Sequence, residues 1–205
     1  MTKSDNYQMT NIALFGPPGA GKGTQSKKLL QKYQLVNIAP GELLREHIRK
    51  RTTLGQQAEK YIHQGKLVPN ALVLGIVEEQ LASQKHGYGF LFDGCPRTTI
   101  QARALEKKMA SYNLQIDVVI FLEVPEQALV ERIKSRAKIA GRVDDQDVNK
   151  VATRMRIYHD STVPVAQYYA QQKKICKICG LGTVDAVFER IVAALGQLST
   201  MPVLR

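Results

Sequence analysis

The sequence predicts an α/β protein of three layers, with a five-stranded parallel sheet between two layers of helices. Short apolar runs that are typical of buried strands alternate with longer segments of helical periodicity. This alternation favours parallel pairing, because each helix carries the chain back across one face of the sheet. With 205 residues, of which 44% are hydrophobic, the chain can bury one sizeable core, and we expect a single domain.

Five strands and an inserted helical region follow from the order of these patterns. The predicted strands are Asn11–Phe15, Val36–Ala39, Gly89–Phe92, Val118–Glu123 and Lys174–Ile178. Between the second and third strands, helical stretches at residues 41–51, 54–64 and 70–83 are interpreted as an inserted arm. A helix that begins at Pro125 is followed at residues 140–145 by a polar interruption too short to be a domain, and then by one helix that reaches Tyr169.

The charge balance favours small phosphorylated ligands over nucleic acid. Lys and Arg number 29 against 18 Asp and Glu, and the net charge of +11 attracts polyanions. Aromatic residues make up 6% of the chain, and no pattern interleaves them with basic residues as in a nucleic-acid-binding surface. We therefore expect no nucleic-acid partner.

Neither a membrane span nor a secretory signal is visible in the sequence. No apolar run approaches about eighteen residues, and the segment before the first predicted strand is polar. An odd count of three cysteines fits reduced thiols better than a disulfide framework. We expect a cytoplasmic monomer with no membrane partner.

A glycine-rich segment, residues 16–24, lies directly between the first predicted strand and the first helix. Glycines let the backbone fold around a phosphate with several N–H groups pointing inward, and the helix N-terminus and Lys22 add positive potential. The sequence therefore predicts a phosphate-binding loop. Its expected contacts are Gly19, Ala20, Gly21, Lys22, Gly23 and Thr24.

The loop predicts an unusual arrangement for Mg²⁺. Gly23 stands immediately after the lysine, where a generic loop of this kind places the Ser or Thr that holds the metal, and Thr24 follows. Asp93, at the end of the third predicted strand, is placed to orient Mg²⁺ through its water shell. We expect Mg²⁺ to enter with the nucleotide.

Two further motifs follow the loop at fixed positions. They are Phe92-Asp93-Gly94-Cys95-Pro96-Arg97-Thr98 and Gly141-Arg142-Val143-Asp144-Asp145. With the loop they make the chain resemble the adenylate kinase family of nucleoside monophosphate kinases, from about residue 10 to residue 198. The resemblance implies a P-loop NTPase-type fold and reversible, Mg²⁺-dependent phosphoryl transfer from ATP to AMP. It also implies one domain with a core (10–40, 84–135 and 147–198), a helical NMP-binding arm (41–70) and a short lid (136–146).

The resemblance carries over an acceptor site for AMP. The matching residues are Pro40, Arg45, Lys66, Leu67, Val68, Gly94, Arg97, Gln101, Arg142 and Arg154. By this match Arg45 and Arg97 grip the acceptor phosphate, and Gln101 reads adenine with one donated and one accepted hydrogen bond. Ala39-Pro40 stands where the family usually has Ser-Thr, so a hydroxyl near the acceptor base is absent. UMP, CMP or GMP therefore stays an alternative acceptor.

The resemblance also carries over donor and catalytic residues. Arg132 matches an arginine that lies against the ATP base, Arg136 matches a phosphate ligand, and Gly180 and Gly182 match a turn beside the adenine. The implied catalytic cations are Lys22, Arg97, Arg136, Arg142 and Arg154. Because the acceptor phosphate is already ionised, we expect positioning and charge neutralisation to perform the catalysis.

The register of the helix after the lid leaves two arginines as candidates for one catalytic role. Asp144 and Asp145 match acidic residues at the lid hinge. Arg154 matches the family's remaining catalytic arginine when one extra residue is placed between Asp145 and Val151. Arg156 is the alternative.

The cysteines are interpreted as structural. Cys95 replaces the family's usual phenylalanine beside the acceptor pocket, where we expect an inert core thiol. Cys176 and Cys179 have the spacing of a zinc-ligand pair, but a structural zinc needs four ligands, and this pair lies far in sequence from the lid. We predict no zinc.

One different class of function remains open. The charge of +11 and the altered helix after the lid are compatible with a nucleotide-binding protein without turnover, or with a basic nucleic-acid binder. The joint presence of Lys22, Asp93 and Arg97 speaks against both.

Overall fold

An open parallel sheet forms the centre of the molecule. The computed structural model describes residues 11–83, 89–140, 145 and 147–199. Its strands are β1 (Ile12–Phe15), β2 (Val36–Ile38), β3 (Phe90–Asp93), β4 (Val118–Glu123) and β5 (Ile175–Cys179). They lie in the order β2-β3-β1-β4-β5, and every neighbouring pair is parallel. The predicted α/β class and five-stranded parallel sheet are confirmed.

Helices connect the strands and extend from the sheet. They are α1 (Lys22–Tyr33), α2 (Pro40–Arg49), α3 (Thr53–His63), α4 (Asn70–Ser83), α5 (Thr99–Ala110), α6 (Glu126–Ala140), α7 (Val148–Ile157), α8 (Val163–Gln171) and α9 (Val184–Ser199). In the part of the chain that the structure describes, none of them has the length and apolar character needed to cross a bilayer.

The segment predicted as one helix to Tyr169 is helical from residue 148 to residue 171, but a π-helical turn that the sequence analysis did not predict divides it. A π-helical turn, Tyr158–Thr162, separates α7 from α8, and the Val163 N–H donates to the Tyr158 carbonyl. Pro164, in the first turn of α8, has no N–H to donate and its ring crowds the preceding turn. A widened turn accommodates the proline without ending the helical path.

Both faces of the sheet are covered by helices. Side chains alternate between the two faces along β1, so Ala13 and Phe15 lie in one buried cluster and Ile12 and Leu14 lie in the other. The first cluster includes side chains of α4, α5 and α8, and the second includes side chains of α1, α6 and α9. All four residues of β1 are at most 3% exposed. The sheet therefore lies between two layers of helices, which is a three-layer α/β/α arrangement.

The strand order reverses at β1, which positions the site. The chain passes from β1 to one side of the sheet to form β2, and later returns to the other side to form β4. Such a reversal leaves a crevice at the carboxyl ends of the strands, where ligands of open α/β sheets bind. Leu14 of β1 pairs with Asp93 of β3, so the Asp93 carboxylate lies beside the start of the glycine-rich loop.

The arm depends on one close approach between α2 and α3. A Cβ placed on Gly55 would lie 2.2 Å from the carbonyl oxygen of His47 and 2.6 Å from the backbone nitrogen of Ile48. The Gly55 N–H donates to Thr52 Oγ1 at 3.1 Å, which caps α3 at this crossing. The glycine therefore permits the packing of the arm.

Gly55→Ala is expected to destabilise the protein by about 1–3 kcal/mol, because the new methyl group meets backbone atoms that cannot rotate away. Gly75→Ala in α4 is the matched control, since a Cβ there meets no atom within 4 Å. The control should be neutral or stabilising by the helix propensity of alanine. Urea unfolding followed by circular dichroism measures both, and equal midpoints for Gly55→Ala and wild type would contradict the packing argument.

Candidate active site

The glycine-rich loop is shaped by residues with left-handed backbone. Gly19 has φ +85° and Gly21 has φ +94°. In this region of backbone conformation, residues other than glycine are strained. A Cβ on Gly19 would also lie 2.9 Å from Ile133 Cγ1 of α6. Gly21 is the N-cap of α1, and the first turn of this helix contains no acidic residue. The loop therefore ends in a helix N-terminus whose positive potential is available to an anion.

Lys22 is half-buried at the base of the loop. Its Nζ donates to the Gly16 carbonyl at 2.7 Å and to the Pro17 carbonyl at 3.0 Å. Burial lowers the pKa of Lys22 to about 7; Asp93 opposes this shift, and Arg97 is foremost among the arginines that add to it. A phosphate placed in the loop would reverse this effect, because an anion favours the ammonium form.

A cleft of about 820 Å³ runs from the loop to the arm and to α6, α7 and the β5–α9 connection. It brings together most of the residues predicted for the donor and acceptor sites. Those in its lining are Gly19, Ala20, Gly21, Lys22, Gly23, Thr24, Arg45, Asp93, Gly94, Arg97, Arg132, Arg136, Arg154, Gly180 and Gly182. A smaller cavity of about 70 Å³, with Leu67 in its lining, shares Lys22, Arg97 and Arg154 with the cleft.

Other predicted residues lie outside both linings. Pro40 begins α2, Lys66 is exposed, and Val68 is 7% exposed in the core. Gln101 is 2% exposed, beside Arg97. Arg142 lies outside the described residues, as do the other lid residues at positions 141, 143, 144 and 146.

Two arginines converge on the start of the arm. A Cβ on Gly41 would lie 3.5 Å from Arg97 Nη2 and 3.6 Å from Arg45 Nη1. Arg45 Nη1 donates to the Gly41 carbonyl at 2.8 Å, and Arg97 Nε donates to the Gly94 carbonyl at 2.7 Å. The Arg97 carbonyl accepts from Thr162 Oγ1 at 3.1 Å, which ties it to the π-helical turn. Two guanidinium groups with planar forks of donors suit a phosphate between them.

Asp145 links two more arginines of the cleft, Arg136 and Arg154. Arg136 donates to it from Nε at 2.6 Å and from Nη2 at 2.8 Å, and Arg154 forms a further ion pair with the same carboxylate. The side chain of Asp145 is fully buried, whereas that of Arg154 is 17% exposed. A shared buried carboxylate keeps these guanidinium groups close together despite their like charge. Arg156, the alternative to Arg154, is exposed and absent from the lining of the cleft.

The end of the cleft near Gly180 contains residues that the sequence analysis did not identify. Arg132 Nη2 donates to the Gly180 carbonyl at 2.9 Å, which fixes the turn after β5. Gln25, Thr183, Val184 and Val187 also line this end. Gln25 Nε2 donates to the Val184 carbonyl at 3.0 Å and so joins α1 to α9. The sequence signal that could have identified Gln25 was a polar residue on the buried face of the helix that follows the loop.

The cysteines occupy ordinary positions in the sheet and core. Cys95 is 2% exposed, and burial raises the pKa of its thiol to about 12, which keeps it in the unreactive protonated form. Cys176 and Cys179 are three residues apart on β5, so their side chains point to opposite faces of the sheet. Among the residues that the structure describes, no cluster of three or more His, Cys, Asp or Glu side chains is arranged to hold a metal. The absence of zinc stays a prediction.

Comparison with known proteins gives a consistent family assignment. A family model described as adenylate kinase matches residues 14–174. Curated relatives named adenylate kinase include those of Phocaeicola vulgatus and Bacteroides thetaiotaomicron, each 42% identical over 190 residues, which is 93% of this chain and 100% of the relative. The relative from Flavobacterium psychrophilum is 40% identical over the same shares of both chains. The chain therefore belongs to the adenylate kinase family of nucleoside monophosphate kinases.

Proposed function

We propose that the protein transfers the terminal phosphoryl group of ATP to AMP reversibly, giving two ADP. The observation that carries this proposal is the single cleft in which the glycine-rich loop faces two further groups of cations. One group, Arg45 and Arg97, belongs to the acceptor side, and the other, Arg136 and Arg154, lies where the two substrates would meet. A cleft with cations at both ends and at its centre suits two nucleotides with their phosphates facing each other.

On the donor side, the ATP phosphates would lie in the loop. The N-terminus of α1 and Lys22 provide positive potential there, and the left-handed glycines let the backbone approach a phosphate closely. The base would lie at the end of the cleft where Arg132 holds Gly180. These contacts support the donor residues inferred from the family resemblance.

On the acceptor side, the AMP phosphate would lie between Arg45 and Arg97. The two guanidinium groups converge over Gly41, where a side chain would occupy the space between them. Leu67 lines the adjoining cavity with Gly94 and Arg97. This proximity supports the arm as part of the acceptor site.

At the centre, Arg136 and Arg154 would stabilise the charge that develops on the transferring group. Both line the cleft, and Asp145 orients both, so little rearrangement is needed at the moment of reaction. We propose Arg154 rather than Arg156 for this role. We retain Arg142 as a proposed ligand carried by the lid, whose closure would exclude water as a competing acceptor.

The residues present fit Mg²⁺ bound together with ATP. Asp93 Oδ2 would lie 3.8 Å from a Cβ on Gly23, so the carboxylate faces the loop across a narrow gap. One carboxylate at this place suits an ion that keeps several of its waters and takes its other ligands from the nucleotide. When bound, the ion neutralises charge on the phosphate oxygens. Asp93 would orient it through water, and Lys22 would hold the phosphates.

We also propose that the protein works in the cytoplasm as a monomer, without a nucleic-acid or membrane partner. Seven of the cations that contribute to its net charge line one cleft, namely Lys22, Lys27, Arg45, Arg97, Arg132, Arg136 and Arg154. Part of the positive charge therefore faces a small ligand rather than an extended polyanion. Gel filtration with light scattering tests the monomer directly.

The decisive experiment is an ADP-formation assay with purified protein, ATP, Mg²⁺ and a panel of acceptors. AMP is expected to give the highest kcat/KM among AMP, UMP, CMP and GMP. A specific observation keeps a second candidate open, since Ala39 lines the cleft where the family usually offers a polar side chain. A preference for UMP, CMP or GMP would assign that acceptor instead. Salt-sensitive oligonucleotide binding without ADP formation would overturn the kinase proposal.

A further inference from the structure

Two hydrogen bonds fix the orientation of the Gln101 carboxamide. Its Oε1 accepts from the Arg97 backbone N–H at 2.7 Å, and its Nε2 donates to Asn70 Oδ1 at 2.8 Å. Gln101 is 2% exposed, so water competes poorly for these groups. The backbone donor of Arg97 therefore fixes the position of the amide oxygen, and the side-chain acceptor of Asn70 fixes the position of the amide nitrogen.

A half-turn of this amide would bring like groups together. The amide nitrogen would meet the Arg97 N–H, and the amide oxygen would meet Asn70 Oδ1, so both hydrogen bonds would be lost in a buried place. The Arg97 N–H belongs to the main chain and is fixed by the fold. Asn70 is thus the part of this arrangement that a single substitution can remove.

Asn70 is itself held where the arm joins the core. It is the first residue of α4, and its Oδ1 also accepts from Thr98 Oγ1 at 3.3 Å. Thr98 is the N-cap of α5, and its side chain accepts from the Gln101 N–H at 3.1 Å. Thr98, at the start of the helix that contains Gln101, therefore also helps to hold Asn70 Oδ1 in place.

The orientation of an amide decides which purine it can bind. A 6-aminopurine presents a donor at position 6 beside an acceptor at N1, and a 6-oxopurine presents the reverse. An amide has one donating end and one accepting end, so each orientation matches only one of these patterns. After its two protein contacts, Gln101 still has one N–H and one oxygen lone pair to offer to a base.

We propose that Asn70 is a positioning residue for acceptor specificity, which locks the Gln101 amide in the orientation that accepts a 6-aminopurine monophosphate and rejects a 6-oxopurine one. This inference rests on the proposed function and on the role that the family resemblance implies for Gln101, which is to read the acceptor base. It gives the protein a source of selectivity at a site where Ala39 and Pro40 offer no hydroxyl. Asn70 acts through Gln101 and need not touch the base.

The test compares AMP with IMP as acceptors for wild type, Asn70→Leu and Asn70→Asp. IMP carries the 6-oxo pattern without further substituents. Asn70→Leu keeps the approximate size of the side chain but removes the acceptor, and we expect the AMP-to-IMP ratio of kcat/KM to fall roughly tenfold, mainly through a higher KM for AMP. Asn70→Asp keeps an acceptor oxygen and should retain a ratio close to that of wild type. Asn70→Ala gives the same readout should leucine prevent folding.

The possible outcomes separate this inference from the function on which it rests. An unchanged AMP-to-IMP ratio in folded Asn70→Leu or Asn70→Ala overturns the inference while leaving the kinase intact. An equal loss of selectivity in Asn70→Asp also overturns it, because the acceptor oxygen would then not be the cause. Failure of the wild-type protein to phosphorylate AMP overturns the proposed function itself.

Discussion

Lys22→Met is expected to lower kcat by roughly a hundredfold or more, because it removes the positive charge that we propose to hold the phosphates of the donor. The loss should not come from unfolding. Burial and the nearby charges of Arg97, Arg154 and Arg136 lower the pKa of Lys22 to about 7, although Asp93 opposes this shift, so the ligand-free fold gains little from the charge of this ammonium. We therefore expect a melting temperature equal to or above that of wild type, together with the loss of turnover.

The control for Lys22→Met is Lys32→Met in the same helix. Lys32 is exposed in the last turn of α1, away from the lining of the cleft. The Lys32→Met variant should have a kcat and a melting temperature close to those of wild type. Steady-state ADP formation and thermal unfolding measure the two properties separately. A near-native kcat for Lys22→Met would contradict the phosphate-binding role of the loop.

The sheet was largely predictable because its strands are strong local patterns. The prediction for Val118–Glu123 agrees with β4 at both ends, and that for Lys174–Ile178 is one residue early at each end. The predicted second strand extends one residue beyond β2, because Pro40 begins α2 and Ala39 serves as its N-cap. These differences arise where a turn or cap, rather than hydrophobic periodicity, decides the boundary.

The residues of the cleft were predictable mainly through the family motifs, and their partners were not. Motif spacing identified Arg97 and Arg154 but gave no sign that Thr162 would donate to the Arg97 carbonyl. Asp145 was assigned to a hinge, and its bonds to both Arg136 and Arg154 became visible only with the fold. Such contacts join residues from separate elements, and no local pattern encodes them.

The position of Gln101 illustrates the same limit. The sequence predicts a base-reading amide, whereas the structure places it away from the lining of the cleft and bonded to Asn70 and Arg97. A family motif specifies the residue but not the buried contacts that fix its orientation. Those contacts depend on where α4 begins relative to α5, which is a property of tertiary packing.

Arg154→Met and Arg156→Met together are expected to decide the register of the helix after the lid. Arg154→Met should lower kcat roughly a hundredfold, since it removes a guanidinium that we propose to stabilise charge on the transferring group. Arg156→Met changes the same residue type two positions later on an exposed face of α7 and should leave kcat near that of wild type. The two variants are measured under saturating ATP and AMP.

The stability of the arginine variants separates catalysis from the loss of the ion pair with Asp145. Arg154→Met removes one ion pair of the buried Asp145 carboxylate, leaves its pair with Arg136 in place and should lower the melting temperature. Arg154→Lys keeps a charge near Asp145 but lacks the planar fork, so it should recover more stability than kcat. Because Asp145 already holds Arg154 beside Arg136 before any substrate binds, we expect a large effect on kcat and a smaller one on the KM for ATP. A loss confined to Arg156→Met would instead place the catalytic guanidinium two residues later in α7, outside the lining of the cleft.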